Sequence, residues 1–454
     1  MTTTPRSMAS MFTGVTMLGD EEQRSKEQID EEREKEQREE QMAEEQSTEE
    51  MSSEEQSNEE PRDLEKADGV RHVIDDDIPK RQGERCSLRE RIRHFTWAWF
   101  TLTMSTGGIA ILLARTPHRF HGLETIGKVF FILDLVLFVC LCLAISTRFV
   151  LFPQAMAHSF RNTKEGLFFA TFWLSVADII ICTQLYGYGN AGPWLSRAVR
   201  VLFWMYSAFS FLTAVFQYHF LFTGKPLTMQ SMTPAWLLPI FPIMLAGTIA
   251  SVIAGTQPEE HAIPVIIGGI TFQGLGMMVA IFVYANYIRR LLSLGLPSPN
   301  FRPGMFIAVG PPSFTALALI AMSDAALTSF PKYYIEGTSM VPTAEVLKIV
   351  SVFFGIFLWT LAFWFFCLSV IAVVSGFNEM TFHLSWWSFV FPNTGFTIAT
   401  IQIGHALHSN AILWVSSAMT IVMVTLWFLV VISHAWAVFA GQILWPGRDE
   451  DHVD

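Results

Sequence analysis

The strongest constraint on the fold of this chain is a series of ten long apolar segments. Each is close to the roughly 20 apolar residues that an α-helix needs to cross the hydrocarbon core of a bilayer. They are residues 95–114, 126–147, 167–186, 199–222, 235–255, 263–287, 305–327, 346–374, 386–404 and 412–440, separated by short joints that are polar or rich in Pro and Gly. The sequence therefore predicts an all-α polytopic membrane protein with ten transmembrane helices.

The acidic charge of the chain is concentrated near its N-terminus. The first 93 residues hold 27 Asp and Glu against 15 Lys and Arg, whereas the rest is nearly neutral. Residues 20–60 contain almost no apolar side chains and cannot bury enough surface to offset the entropy of ordering. We therefore expect a disordered acidic cytoplasmic tail (1–90), a ten-helix transmembrane domain (91–446) and a short acidic C-terminal tail (447–454). The long tail is either a solvated spacer or a regulatory segment.

The placement of basic residues predicts the orientation of the domain. If the N-terminus is cytoplasmic, the cytoplasmic segments from residue 80 onward hold 14 Lys and Arg, and the opposite segments hold seven. Cytoplasmic loops of membrane proteins carry the excess of positive charge. We therefore expect both termini in the cytoplasm.

Residues that break helical backbone occur mainly in alternate segments. They are Gly107 and Gly108 in the first, Pro239 and Pro242 in the fifth, Pro311 and Pro312 in the seventh, and Pro392 and Gly395 in the ninth. Broken backbone within a membrane must be surrounded by protein or line a wet cavity. We therefore expect the odd helices to form an inner, pore-side set and the even helices to surround it. The third and sixth segments depart from this pattern, and simple helix packing explains small residues equally well.

The body carries no motif of nucleotide-dependent or enzymatic chemistry. It lacks a Walker loop, a Rossmann glycine fingerprint and the Gly-x-Ser-x-Gly elbow of hydrolases. His405 and His408 have helical spacing but no nearby carboxylate or Cys, which makes a metal site unconvincing. We expect no enzymatic activity, no cofactor, no metal and no nucleic-acid partner. The classes of function that remain are a facilitator, a channel and an ion-coupled carrier.

Two carboxylates lie inside apolar segments. Asp134 is in the second segment and Asp178 in the third. Ionisable residues within a bilayer are costly and usually functional. A proton relay or coupling site is one interpretation, and a bridge between helices or a position near water is the other.

Three stretches place hydroxyl groups beside helix breakers. Residues 95–109 read FTWAWFTLTMSTGGI, residues 301–315 read FRPGMFIAVGPPSFT, and residues 385–396 read SWWSFVFPNTGF. Proline removes a backbone donor and leaves a carbonyl free one turn earlier. Such a lining offers dipoles without fixed charge, which suits weak binding and fast exit of an anion. The alternative is that these hydroxyls only satisfy kinked backbone.

On these same stretches the chain resembles the tellurite-resistance/dicarboxylate transporter family. That family includes fungal malic acid permeases, yeast sulfite efflux pumps and the slow anion channel of plant guard cells. FTWAWFTLTMSTGG and RPGMFIAVGPPSFT are similar to the first and seventh helices of the fungal malate branch, and SWWSFVFP to a more widely shared ninth-helix segment. The resemblance covers residues 91–446 and not the tail.

The resemblance implies five helical hairpins around a quasi-fivefold central pore, lined by the odd helices, and a homotrimer with one pore in each protomer. It also implies that a Phe of the ninth helix, just before the proline, closes the pore. That residue is Phe391. On a regular helix Phe389 shares a face with Asn393, and Pro392 interrupts the helical phase, so Phe389 is the second candidate for the gate.

The expected function is transport of the C4-dicarboxylates malate and succinate across the plasma membrane. The residues expected along the path, which give the anion hydrogen bonds or shape the backbone, are Ser105, Thr106, Gly107, Pro311, Ser313, Thr315, Asn393 and Thr394. Arg302 would attract anions at the cytoplasmic mouth, because charged clefts concentrate counter-ions, or would serve only as a positive-inside anchor.

Two alternatives stay open at this point. The same fold could carry sulfite, nitrate or chloride as an efflux channel. The protein could also be a proton-coupled carrier in which Asp134 or Asp178 is the coupling group.

Overall fold

The computed structural model describes residues 87–224, 228–331, 334 and 342–444, and this part of the chain is built from α-helices and 3-10 helices. The long helices, numbered α1 to α10, are Phe100–Arg115, Leu123–Leu151, Phe169–Gly187, Trp194–Thr223, Phe241–Ile253, Glu259–Leu294, Gly310–Ser329, Thr343–Val374, Phe391–Ala406 and Asn410–Phe439. Each falls on one of the ten apolar segments of the sequence. The expected all-α membrane architecture is confirmed.

Among the described residues, nine helical segments are long and apolar enough to cross a membrane. They correspond to every helix except α9, which has 16 residues and follows a separate 3-10 helix over Leu384–Phe389. The ninth apolar segment therefore folds as two helical pieces. That all ten segments cross the bilayer stays a prediction.

Several of the predicted backbone breaks occur where 3-10 helix changes to α-helix. Pro234–Ile240 precedes α5, Pro299–Val309 precedes α7 and Leu384–Phe389 precedes α9. Each of these α-helices has a proline in its first positions. Proline is tolerated there because the first amide groups of an α-helix have no partner within it.

The odd helices form a closed inner ring. Contacts run from α1 to α3, α5, α7 and α9 in turn, and α9 contacts α1 again. Each even helix packs outside two consecutive members of this ring: α2 against α1 and α3, α4 against α3 and α5, α6 against α5 and α7, α8 against α7 and α9, and α10 against α9 and α1. The predicted inner and outer sets are therefore confirmed, whereas the quasi-fivefold symmetry itself stays a prediction.

Burial separates the two sets in the same way. In α1, α3, α5 and α7, between 56% and 94% of the membrane-spanning window is buried, against 22% to 39% in the even helices. The exposed residues of the even helices are mostly large and apolar, including Phe282, Phe353 and Phe357. Such a surface suits lipid. The sixth segment was an exception in the sequence pattern, and three of its glycines, Gly268, Gly269 and Gly276, have a packing role: a Cβ on Gly269 would lie 2.5 Å from the Cβ of Ala250.

A buried ion pair fixes the connection between α2 and α3. Arg148, in the last turn of α2, binds Glu165 of a short helix, and both side chains are almost fully buried. The hydroxyl of Ser159 donates to Glu165 at 2.7 Å and accepts from the indole N–H of Trp97 at 2.9 Å. The buried charges are thus paired and hydrogen-bonded, as a charge inside a protein requires.

The predicted acidic tail lies almost entirely outside the described residues, as does the short C-terminal tail. Their boundaries, at residues 90 and 446, stay predictions.

Candidate functional site

Three phenylalanine rings meet inside the inner ring of helices. Phe391, at the start of α9, is 1% exposed and stacks on Phe314 of α7, with ring centroids 5.1 Å apart. Phe241 of α5 contacts both, at centroid distances of 5.9 Å to Phe391 and 5.6 Å to Phe314. Edge and offset contacts of this kind are favourable beyond the apolar area that they bury. We call these three side chains the phenylalanine cluster.

Each ring of the phenylalanine cluster lies against a glycine of the next inner helix. The pairs are Phe241 with Gly310, Phe314 with Gly395, and Phe391 with Gly108, and a Cβ added to these glycines would lie 2.4, 2.5 and 3.4 Å from the ring. The first two distances are too short for any larger residue. Glycine therefore makes room for the rings between neighbouring helices.

Two small cavities lie on either side of Phe391, and all five inner helices or their 3-10 extensions contribute to each. The N-side cavity is bounded by the first parts of the inner helices and includes Thr101, Thr171 and Ser388. The C-side cavity is bounded by their later parts and includes Gly108, Asp178 and Thr394. Phe391 is common to both cavities, so it separates them.

The passage between the cavities is closed in this structure. Each cavity leaves about 20 Å³ for the centre of a water-sized sphere, which is room for about one water molecule. A solute larger than water therefore needs the phenylalanine cluster to move.

The C-side cavity contains polar groups without partners. The hydroxyl of Thr248, on α5, is buried and has no hydrogen-bond partner. Arg115, in the last turn of α1, and Gln402, on α9, also line this cavity. On the other side of Phe391, the buried hydroxyl of Ser385 likewise has no partner and lines the N-side cavity.

Two of the predicted path hydroxyls face the outer helices instead of the cavities. Thr106 accepts a hydrogen bond from the indole N–H of Trp427 on α10 at 3.2 Å. Thr315 accepts one from the side-chain amide of Gln273 on α6 at 2.8 Å. Both threonines also donate to carbonyls of their own helices. Their hydroxyls therefore join the inner ring to the outer one.

The predicted residues Ser105, Gly107, Pro311 and Ser313 are buried and lie outside the residues that line the two cavities. Ser105 donates to the carbonyl of Trp387 at 3.3 Å, which joins α1 to the segment before α9. Ser313 donates to the carbonyl of Val309, the last residue of the 3-10 helix before α7, at 2.7 Å. Pro311 begins α7 as one of its first residues.

The remaining path candidates are Thr394, Asn393 and Arg302, and among them Thr394 lines a cavity. Thr394 lines the C-side cavity, and a Cβ on Gly108 would lie 2.9 Å from its hydroxyl oxygen. The amide of Asn393 donates to the carbonyl of Phe389, and its oxygen is buried without a partner. Arg302 donates to the carbonyls of Pro297 and Ala372, both at 3.0 Å. Arg302 thus joins the segment before α7 to the end of α8, away from both cavities.

The two intramembrane carboxylates are neighbours. Asp134 on α2 and Asp178 on α3 approach the same backbone point, because a Cβ on Gly107 would lie 3.0 Å from an oxygen of Asp134 and 3.2 Å from one of Asp178. Both side chains are at most 1% exposed. Neither oxygen of Asp134 has a hydrogen-bond partner, nor does Oδ2 of Asp178. Asp178 also lines the C-side cavity, with Asp134 behind it.

The two candidates for the gate occupy different places. Phe391 lies in the phenylalanine cluster between the cavities, whereas Phe389 is only partly buried and packs against Phe306 and Trp386 at 5.4 and 5.8 Å. The position of Phe391 between the cavities is the one that a plug requires.

Sequence reasoning missed several residues of the cavities. They are Arg115, Phe241, Thr248, Phe314, Ser385 and Gln402. Phe314 lies directly between two residues that were selected, and Gly395 and Gly108 were recognised only as breakers. A search for phenylalanine and glycine on successive odd helices would have found the cluster. The spacing of residues gave no signal for Arg115, Thr248 or Gln402.

The chain is similar to known membrane transport proteins along most of its length. The family model described as voltage-dependent anion channel (SLAC1) matches residues 94–435. A malic acid transport protein of Schizosaccharomyces pombe is 37% identical over 80% of this chain and 83% of its own length. A putative malic acid transport protein of the same yeast is 34% identical over 82% and 86%. A sulfite efflux pump of Trichophyton rubrum is 27% identical over 77% and 92%.

The Thr315 hydroxyl is expected to stabilise the fold. Replacing Thr315 by Val leaves the buried amide of Gln273 without its acceptor, and should lower the free energy of unfolding by about 1–3 kcal/mol. The matched control is Thr271→Val, because Thr271 is exposed and its hydroxyl bonds only to its own helix. Thermal unfolding of the purified proteins in detergent measures the difference. Equal melting temperatures for the two variants would contradict this role.

Proposed function

The chain belongs to the voltage-dependent anion channel (SLAC1) family of membrane channels and transporters, and we propose that it carries C4-dicarboxylates, malate and succinate foremost, across the plasma membrane. Two relatives that align along most of their length are named for malic acid transport. They are more similar to this chain than the sulfite efflux pump is. The partners are small organic anions and the lipid bilayer.

The observation that carries this proposal is the pair of cavities inside the inner ring. Both are enclosed by the five inner helices and contain hydroxyl groups, and the C-side cavity adds a guanidinium group. Neutral donors bind an anion weakly enough to release it, and a cation raises its local concentration. The closed state between the cavities fits a passage that opens for a specific solute.

Phe391 is the proposed gate. Its ring separates the two cavities, and its removal from the phenylalanine cluster would join them. Among the path residues taken from the sequence, Thr394 lies at this point. The path that we propose therefore runs from Ser385 past Phe391 and Thr394 to Thr248.

The proposed arrangement in the membrane is a homotrimer with both termini in the cytoplasm. In that orientation the N-side cavity faces the cytoplasm. The excess of Lys and Arg on that side of the chain supports it. The lipid-facing surface of the even helices leaves apolar area for contacts between protomers.

Uptake of labelled malate by proteoliposomes tests the substrate. We expect saturable uptake that succinate inhibits and sulfite does not. Liposomes without protein are the control. If sulfite or nitrate crosses and malate does not, the protein still has an anion path, but the proposal that its substrate is a dicarboxylate is rejected. The alternative, an efflux channel for sulfite, nitrate or chloride, is then favoured.

Replacing Phe391 by Ala should raise the flux of the transported anion. If the ring contributes about 1.4 kcal/mol to the free-energy barrier for passage of the anion, its removal raises the flux about tenfold. Phe428→Ala is a matched control, since Phe428 is 51% exposed on the outer surface of α10. Unchanged flux in a folded Phe391→Ala protein would reject this gate, and a rise in Phe389→Ala alone would assign the gate to Phe389.

A proton-coupled carrier is the second candidate mechanism, and the position of the two carboxylates favours it. Asp134 and Asp178 are buried together, and both oxygens of Asp134 and Oδ2 of Asp178 have no hydrogen-bond partner in the described part of the chain. Two adjacent carboxylates in such surroundings cannot both stay ionised without a large cost. A proton that binds at Asp178 faces the C-side cavity.

Asp178→Asn tests this coupling, because Asn keeps the shape of the side chain and removes the proton site. In wild-type proteoliposomes we expect uptake to rise when the external solution is more acidic than the lumen. In Asp178→Asn the rise should be absent. Asp324→Asn is the control, since Asp324 is half-exposed and pairs with Lys348. Wild-type flux that follows voltage but ignores the pH gradient would identify a channel instead.

A further inference from the structure

We propose that Arg115, together with Thr248 and Gln402, binds a carboxylate of the transported anion in the C-side cavity, on the C-terminal side of Phe391. The proposal rests on the proposed function, because it assigns a substrate-binding site to the same passage. It replaces Arg302 as the cationic residue of the path.

The first argument is the state of the Arg115 guanidinium. Arg115 is only partly exposed, at the end of an inner helix, and lines the C-side cavity. No residue in the described part of the chain forms a hydrogen bond or an ion pair with its side chain. Its donors are therefore accessible from the cavity and have no counter-charge. An anion in the cavity would supply that charge.

The second argument is the unpaired hydroxyl of Thr248. This side chain is 3% exposed, lines the same cavity, and its oxygen has no partner. Its neighbour Ser251 donates to the backbone carbonyl of Thr248 at 2.7 Å, so that donor is already used. Buried polar groups are almost always hydrogen-bonded. A carboxylate oxygen would accept from Thr248.

The third argument is that Arg115 is not needed to cap its helix. Basic residues at a helix C-terminus often bond to the last carbonyls. Arg119 does this here: it is exposed and donates to the carbonyl of Ala114 at 2.8 Å. Arg115 and Arg119 thus lie four residues apart and have different roles. Arg115 lines the cavity, and Arg119 caps the end of the helix.

The donors come from three inner helices and match the chemistry of a carboxylate. The guanidinium of Arg115 offers a planar fork that fits two carboxylate oxygens. Thr248 and the Gln402 amide add single donors from α5 and α9. The negative group of the cavity, Asp178, lies beside Gly107, about 12 Å along α1 from Arg115. The cavity is too small for a dicarboxylate while the passage is closed, so the anion binds when the phenylalanine cluster moves, with one carboxylate at the level of Arg115.

The test compares Arg115→Gln with Arg119→Gln in proteoliposomes, with the anion supplied from each side in turn. Loss of the guanidinium should raise the half-saturation concentration for malate about tenfold or more on the C-side, which is a loss of about 1.4 kcal/mol of binding free energy. Arg119→Gln, the matched loss of charge, should leave it unchanged. Equal half-saturation in both variants would overturn the site.

Arg115→Lys provides the second measurement, which holds even if Arg115→Gln does not fold. Lysine keeps the charge and loses the fork. We expect the binding of malate to be weakened more than the binding of nitrate, as measured by competition for uptake. Equal weakening of malate and nitrate, or none, would overturn the proposal. If wild-type protein carries sulfite or nitrate and no malate, the substrate proposal fails, and the two Gln variants then test Arg115 with the anion that does cross.

Discussion

The packing of a phenylalanine ring on a glycine of the next helix is the contact on which the centre of this protein depends. It occurs three times in succession, from α5 to α7, from α7 to α9 and from α9 to α1. Each contact brings two inner helices together and places a ring inside them. The three rings touch one another, so the same side chains that hold the helices together also close the passage. The two cavities are the spaces that remain above and below Phe391.

The outer helices complete the inner ring chemically as well as sterically. Thr106 and Thr315 turn away from the cavities, and each satisfies a buried donor on an outer helix, Trp427 or Gln273. In the core of a membrane there is no water to accept a hydrogen bond from such donors. Thr400 of α9 accepts from the indole N–H of Trp359 on α8 in the same way, and most other hydroxyls of the inner helices donate to backbone carbonyls. The unpaired hydroxyls of Thr248 and Ser385, both at the cavities, are therefore the informative ones.

The sequence predicted the all-α membrane architecture, whereas Phe391 as the gate was implied by the family resemblance and stays a prediction. Helix breakers in the first, fifth, seventh and ninth segments predicted an inner set of odd helices. The contacts of α1, α3, α5, α7 and α9 agree, and so does the burial of the first four. The direction of individual side chains was harder, for a physical reason. The 11-residue 3-10 helix before α7 advances about three residues per turn instead of 3.6, so the face occupied by Thr315 does not follow from counting along a regular helix.

Charged residues show the same limit. Arg302 and Arg115 both stand at the ends of apolar segments, and the sequence left Arg302 as either an attractor of anions or a positive-inside anchor. The fold places Arg302 on the carbonyls of Pro297 and Ala372 and leaves Arg115 at a cavity. Only the neighbours of each guanidinium, contributed by distant parts of the chain, distinguish the two.

The mutual contact of the three rings also determines how the passage opens. If Phe391 leaves its position, Phe314 and Phe241 each lose a ring contact. Close-packed groups of this kind have a few discrete arrangements and deform little between them. If the gate proposed at Phe391 is correct, we therefore expect it to open in one cooperative step, in which all three rings change their packing together.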